Sequence, residues 1–533
     1  MRVWQLLSLM SAMFAFGCSG ENNKSSRNLN SATPDAGETD SAHADADDAG
    51  EEPGDGDGAT GEGPAGGDAG ANTLDAGSSE PDGGSLSALD GAASDAASDT
   101  GTLPDTGGSG GDGAVGGGFS ILVRVHGAAS AEQRVFFQSA TGALLSEHRT
   151  AADGTVSSTE APATVTVLAS IASGLPVTRR LLTFESVVTG DRLVADFEVL
   201  DPVGSPAYLA SFAGTLPAGS IGAIVRAGYQ SCASASDYTL PIDAALELSW
   251  RARCPVAASN SLLATAVNSS DFPIGFSFAK GAPAFGGSAL PVQLSAWETA
   301  GLGTLTVTNV PTAMVLNALL LARSEGVDLS PGGRLPSLPA GSGTRTQMLP
   351  YPIGFADSFL VRIDSNTSPE GWVRTLASRD SATVTSFSFD FASGLPGATS
   401  ATLDKTVPSR PIYRWTAAPG VTAADAVAVR LAWVQRVGAE GTSEVPWTFI
   451  TLPGATSVQV PELPADVPDL AGGPTFLYVT HAVTYMDSSL QSNYREFLGE
   501  PARQPQSNTQ TLRRELNDTG NLRATTWFPG TTL

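Results

Sequence analysis

A chain of 533 residues is too long for a single β-sandwich or barrel, and a formal net charge of −25 speaks against a partner held by a basic surface. The charge is unevenly spread: residues 19–118 hold 21 Asp and Glu against Lys24 and Arg27, a net of −19. Arg2 adds +1, which leaves −7 over residues 119–533, an ordinary value with no basic stripe for nucleic acid or anionic lipid.

The first element is an uncharged, mostly apolar run at residues 3–16, preceded by Arg2. Its 14 residues fall short of the roughly 20 that span a bilayer, so it is expected to be a secretion signal over residues 1–17. Ala15 and Gly17 stand at the third and first positions before Cys18, where the processing peptidase requires small side chains. This pattern resembles the lipobox of bacterial lipoproteins, departing from it at Ala15, where Leu is usual, and at Phe16, where a small residue is usual. The resemblance implies that the Cys18 thiol carries diacylglycerol and anchors the mature chain to a membrane. Ser19 stands where an Asp would retain the protein on the inner membrane, so the outer membrane is expected, with the extracellular face favoured over the periplasmic one. An ordinary signal peptide cut nearby, with Cys18 a bystander, is the alternative.

Residues 18–118 follow as a run of Gly, Ala, Asp, Ser and Pro, with "DAG" recurring at Asp35, Asp48, Asp68 and Asp75. So few large apolar side chains cannot offset chain entropy, and the segment is expected to be a disordered acidic tether with an end-to-end distance of about 55 Å. Such a linker directly after a lipobox looks like the stalk of Gram-negative surface lipoproteins.

The folded part is expected to begin at "FSILVRVHG", where Ile121, Val123 and Val125 alternate with Leu122 and Arg124. Period-two segments then recur: "ATVTVLAS", "RLVADFEVL", "TLTVTNV", "SFLVRI", "ATVTSFSFDF", "AVAVRLAWV" and "TFLYVTHAVTYM", each bounded by Gly, Pro, Asp or Ser. They predict a mainly β protein of tandem β-sandwich modules of immunoglobulin or fibronectin type III kind. One helix is expected, at "TAMVLNALLLARSEG" (residues 312–326), with Leu319, Leu320 and Ala322 in its apolar run and Gly326 as its stop. Modules are expected at 119–201, 202–289, 290–408 and 409–533. The turn containing Thr150, Asp153 and Gly154 gives the first of these a resemblance to transthyretin-like, carboxypeptidase-regulatory domains. Trp415, Trp433 and the Tyr-bearing strand up to Met486 give the last a resemblance to fibronectin type III, which implies a Trp and a Tyr packed in its core.

Cys232 and Cys254 remain once Cys18 is set aside, and in an exported chain an even pair predicts a disulfide that stabilises by roughly 3 kcal/mol through loop closure. Two free buried thiols are the alternative. Active-site signals are scarce. "GGSGG" at residues 107–111 and the glycines at 56, 58 and 61 match a nucleophile elbow and a dinucleotide loop only formally, because both lie in the tether. "DADDAGEEPGDGDG", residues 45–58, lacks the terminal ligand of an EF-hand. His43, His126, His148 and His481 stand at no metal-ligand spacing, and the aromatic rings of Trp297, Trp372, Trp447 and Trp527 are expected in cores or module interfaces rather than on sugars. No metal, cofactor, catalytic residue or nucleic-acid partner is expected. The predicted function is that of a membrane-anchored envelope lipoprotein displaying β modules for binding, adhesion or envelope organisation, with a protein or polysaccharide ligand. The alternative is an exported carbohydrate-active hydrolase or sugar-binding protein.

Overall fold

The computed structural model describes residues 118–533 except 126, 172–177, 198–204, 229–232, 238–244, 251–258, 285–287, 313, 333–334, 336, 339–340, 367, 369–370, 438–440, 468–475, 501, 505–512, 515, 517 and 529–533. The signal, Cys18, the tether with His43, the residue His126, and both Cys232 and Cys254 therefore lie outside the described residues. Within them the protein is mainly β; the one described α-helix is Tyr494–Leu498.

Twelve strands share one ladder. In spatial order it runs Val327–Leu329, Leu316–Ser324, Ser358–Ser365, Trp372–Ser381, Gly520–Trp527, Phe476–Ser488, Ala426–Val437, Gly441–Thr451, Thr178–Glu185, Thr164–Ile171, Arg134–Gln138 and Leu144–Arg149. Every neighbouring pair is antiparallel except Gly441–Thr451 with Thr178–Glu185, where Trp447 stands beside Leu181 and Ile450 beside Phe184 in parallel register. The ladder thus crosses the boundaries drawn at 201 and 408. A short strand, Ala502–Gln504, also returns to pair with Arg192–Phe197 of the first module.

The middle of this sheet is buried on both faces. Phe137, Leu182 and Ala428 point into one core, which Ile121, Val123 and the helix residues Phe497 and Leu498 complete. Their chain neighbours Phe136, Leu181 and Val427 point into another, shared with Trp415, Trp433 and Trp447. Burial on both sides is why these strands read as nearly unbroken apolar runs. The second core holds the aromatic pair expected of a fibronectin-like module: Trp415 Nε1 donates to Tyr485 Oη at 2.9 Å, both residues being buried.

The turn at residues 150–155 owes its form to local chemistry. Thr150 is buried, accepts from Gln133 N at 2.9 Å and donates to Ser130 O at 2.7 Å, while Asp153 Oδ1 accepts from Thr155 N and Oγ1. Gly154 has φ +76°, and a Cβ there would lie 2.6 Å from Val123 O, so only glycine fits.

Residues 205–299 build a separate eight-stranded sheet that curls back on itself: Ser277 Oγ donates to Ser295 O at 2.7 Å, and Ser295 Oγ accepts from Phe278 N at 3.1 Å. Its strand Leu290–Ala296 lies parallel to Ser205–Ala213, so hydrogen bonding also runs across residue 289.

The helix expected at residues 312–326 is instead the strand Leu316–Ser324. Leu316, Leu320 and Ala322 enter one core, and Leu321 packs on Leu360, Leu516 and Leu522 on the opposite face. Burial on both sides produces the run of leucines that mimics a helix, and pairing with Ser358–Ser365 overrides their helical propensity. Gly326 does end the element, but as the second residue of a two-residue hairpin. Glu325 (φ 52°) and Gly326 (φ 76°) are both left-handed, and Ser324 pairs with Val327.

Candidate functional site: an exposed hydroxyl face

The third module sets a three-stranded sheet, Gly343–Tyr351, Gly301–Val310 and Ser386–Asp390, against part of the twelve-stranded one. Period-two alternation sorts its side chains. Leu305, Val307, Leu349, Phe387 and Phe389 enter the core. Thr304, Thr306 and Thr308 point the other way, and the register lines up their neighbours: Met348, Thr304 and Ser386 form one row, Thr346, Thr306 and Ser388 the next. Thr308 stands beside Asp390, and Leu302 faces Pro350 at the opposite end.

Thr346, Ser386 and Ser388 are exposed, Leu302 is 57% and Met348 45% exposed, and the three central threonines are half-buried between their neighbours. Among the described residues, the hydroxyls of Thr304, Thr306, Thr346, Ser386 and Ser388 have no partner within the protein. Some hydroxyls on other strands do have them: Thr166 bonds Thr183 at 2.9 Å, Ser400 bonds Thr416 at 2.9 Å, and Thr484 bonds Thr526 at 3.0 Å, whereas the buried Thr265 hydroxyl has none. The one carboxylate at the margin is the exposed Asp390, whose Oδ1 accepts from the neutral donors Asn309 Nδ2 at 2.9 Å and Ala392 N at 3.0 Å. The result is a grid of free donor-acceptor groups that carries no cation and a single carboxylate at its edge. The sequence signal for it is the tripled i, i+2 spacing of "TLTVT", "TRT" and "SFS". Sequence reading takes the first and last as strands only, because register alone aligns the three.

The residues singled out from sequence fall elsewhere. His148 lies against Phe137 and Ser146 near Glu160, its Nε2 3.6 Å from that carboxylate. His481 is buried between Tyr413 and Trp527, with both ring nitrogens lacking partners, and burial lowers its pKa to about 4. Among the described residues no three His, Cys, Asp or Glu side chains are grouped to hold a metal ion, and no helix is long and apolar enough to cross a membrane. Trp447 and Trp527 are buried, Trp372 donates to Ala398 O at 2.7 Å, and Trp297 stacks on Phe212, so all four rings serve packing.

Several inward-lying polar groups escaped the sequence reading, Arg379 and Glu185 among them. Arg379, 1% exposed, forks both Asp328 oxygens at 2.7 and 2.6 Å, and also holds Ser358 Oγ and the Leu516 carbonyl. Glu185 is half-buried beside Thr451; desolvation pushes its carboxyl up to about 7 against the opposing Thr451 hydrogen bond. Through the Leu516 carbonyl Arg379 ties the third module to the C-terminal segment.

The chain matches no protein-family model and no curated protein. Solved structures similar to parts of it include a candidate adhesin from Bacteroides ovatus ATCC 8483, with 10% identity over 34% of this chain and 84% of that one and a TM-score of 0.16. The FN1–FN3 domains of chicken CNTN1 align at 9% identity over 53% of this chain and 94% of theirs, with a TM-score of 0.13. Escherichia coli alpha-2-macroglobulin in its native conformation aligns at 10% identity over 68% of this chain and 26% of its own, with a TM-score of 0.10.

Proposed function

We propose that the protein is a lipid-anchored envelope protein that presents interlocked β modules for binding, without catalysis of its own. The observation that carries this reading is the exposed, uncharged hydroxyl face on the third module, a surface fitted to hold a ligand and lacking the paired acid and base that turnover needs. The small residues Ala15 and Gly17 before Cys18 support the anchor, and the acidic stretch that follows supports its role as a stalk on an outer membrane.

Replacement Cys18→Ser tests the anchor: the variant chain is expected to leave the membrane fraction or to keep its signal, and unchanged fractionation with normal processing overturns the reading. Export also pairs Cys232 with Cys254. Peptide mapping without reductant should recover them linked, whereas two free thiols under trapping conditions remove the bridge.

A further inference from the structure

We infer that the hydroxyl face on strands Gly301–Val310, Gly343–Tyr351 and Ser386–Asp390 binds an extended neutral polysaccharide chain, an inference that rests on the binding function proposed above. Its basis is the juxtaposition of five unpartnered hydroxyls with an apolar margin at one end, a lone carboxylate, Asp390, at the other, and no cation. Along each strand the hydroxyls repeat every two residues, about 6.6–6.8 Å, and across strands about 4.8 Å. A repeating ligand whose own groups both donate and accept meets such a grid at many points.

Charge narrows the ligand class. Sulfated, phosphorylated or uronic polymers, and nucleic acids, would call for Arg or Lys on the face, and none stands among its outward residues. A second copy of this chain would set one acidic folded part, net −7 over residues 119–533, against another, with no cation on the face to bridge them. A neutral glycan brings hydroxyl edges for Thr306, Thr346 and Ser388 and a C–H face for Leu302 and Met348. No aromatic ring sits on the face, so retention comes from many weak hydrogen bonds along a chain rather than from one stacked sugar. Long or insoluble polymers are therefore favoured over free oligosaccharides.

The test uses the full-length protein purified in detergent and mixed with cellulose, chitin and β-1,3-glucan particles, and with alginate and polygalacturonate gels. At least one neutral polymer should deplete the protein from solution while the acidic gels do not. Thr306→Lys, which places a long charged side chain at the grid's centre, should lower that retention at least tenfold. Thr306→Val keeps the β-branched shape, removes the hydroxyl, and should lower it by a smaller factor, with the melting temperature of both variants unchanged. Lack of retention on every neutral polymer, equal retention on acidic gels, full retention of Thr306→Lys, or a Thr306→Lys-dependent change of oligomeric state each overturns the assignment. Membrane fractionation of the same preparations reads the anchor separately: a chain that stays membrane-bound yet holds no polymer loses the glycan, not the lipid-anchored reading.

Discussion

The strands Ala426–Val437 and Gly301–Val310 both lie between two hydrogen-bonded neighbours, yet they meet different surroundings. In the first, Val427, Val429, Leu431 and Trp433 fill one core while Ala426 and Ala428 fill another. In the second, Leu305 and Val307 are inside and Thr304, Thr306 and Thr308 face out. Large-small apolar alternation marks a strand covered twice, and apolar-hydroxyl alternation marks one covered once. The contrast separates the residues that hold this molecule together from those free to serve a ligand.

Substitutions should respect that division. Trp447→Ala strikes the doubly covered sheet, emptying the site of a fully buried ring and leaving Thr183, which accepts its indole N–H at 2.8 Å, with Thr166 alone as partner. A loss of about 3–5 kcal/mol is expected in denaturant unfolding. A loss under 1 kcal/mol would show that the two cores are not the structural centre. Asp328→Ala leaves the Arg379 guanidinium buried without its carboxylate, and about 3 kcal/mol should be lost. Its reversal by the added change Arg379→Met would confirm that the unpaired charge, not the lost volume, is responsible.

Acidity gives a subtler probe of the same sheet. Burial holds His481 at about 4 instead of 6.5, so the unfolded chain takes up the proton first; its contribution is complete above pH 6.5 and is lost as pH falls toward 4. Glu185 is shifted the other way, from 4.5 to about 7, so its contribution is complete below pH 4.5 and is lost as pH rises toward 7. The two slopes oppose each other between pH 4.5 and 6.5. Relative to wild type, His481→Phe should make stability fall with rising pH, and Glu185→Gln should make it climb, each on the order of 2 kcal/mol across the window. Stability curves that stay parallel to wild type would refute the shifts. The smallest effect belongs to the singly covered sheet: Thr306→Val should change unfolding by less than about 0.5 kcal/mol, and a larger loss would mean that the face is structural.

Much of the architecture is readable from the residues, because strand alternation and turn chemistry are local. "FSILVRV" announces the first strand, and Thr150, Asp153 and Gly154 announce a turn whose hydrogen bonds lie within a few residues or reach back to Val123 and Ser130. What is not local is not legible. The leucines at residues 319–321 read as a helix because sequence does not tell that both sides of a strand will be covered. The pairing of Trp447 with Thr183 and of Thr306 with Thr346 and Ser388 depends on register between distant segments. For the same reason the hydroxyl face stayed hidden while each of its strands was visible.

The parallel seam between Thr178–Glu185 and Gly441–Thr451 also sets an order of events. Trp447 and Thr183 are 264 residues apart, so the edge of Thr178–Glu185 has no neighbour until most of the polypeptide has followed it. Contacts so distant in sequence slow folding, and an open edge with Leu181 and Phe184 beside it invites pairing with the wrong chain. Under the export proposed above, that edge would stay uncovered throughout the passage until residue 451 arrives, the interval in which wrong pairing has its chance.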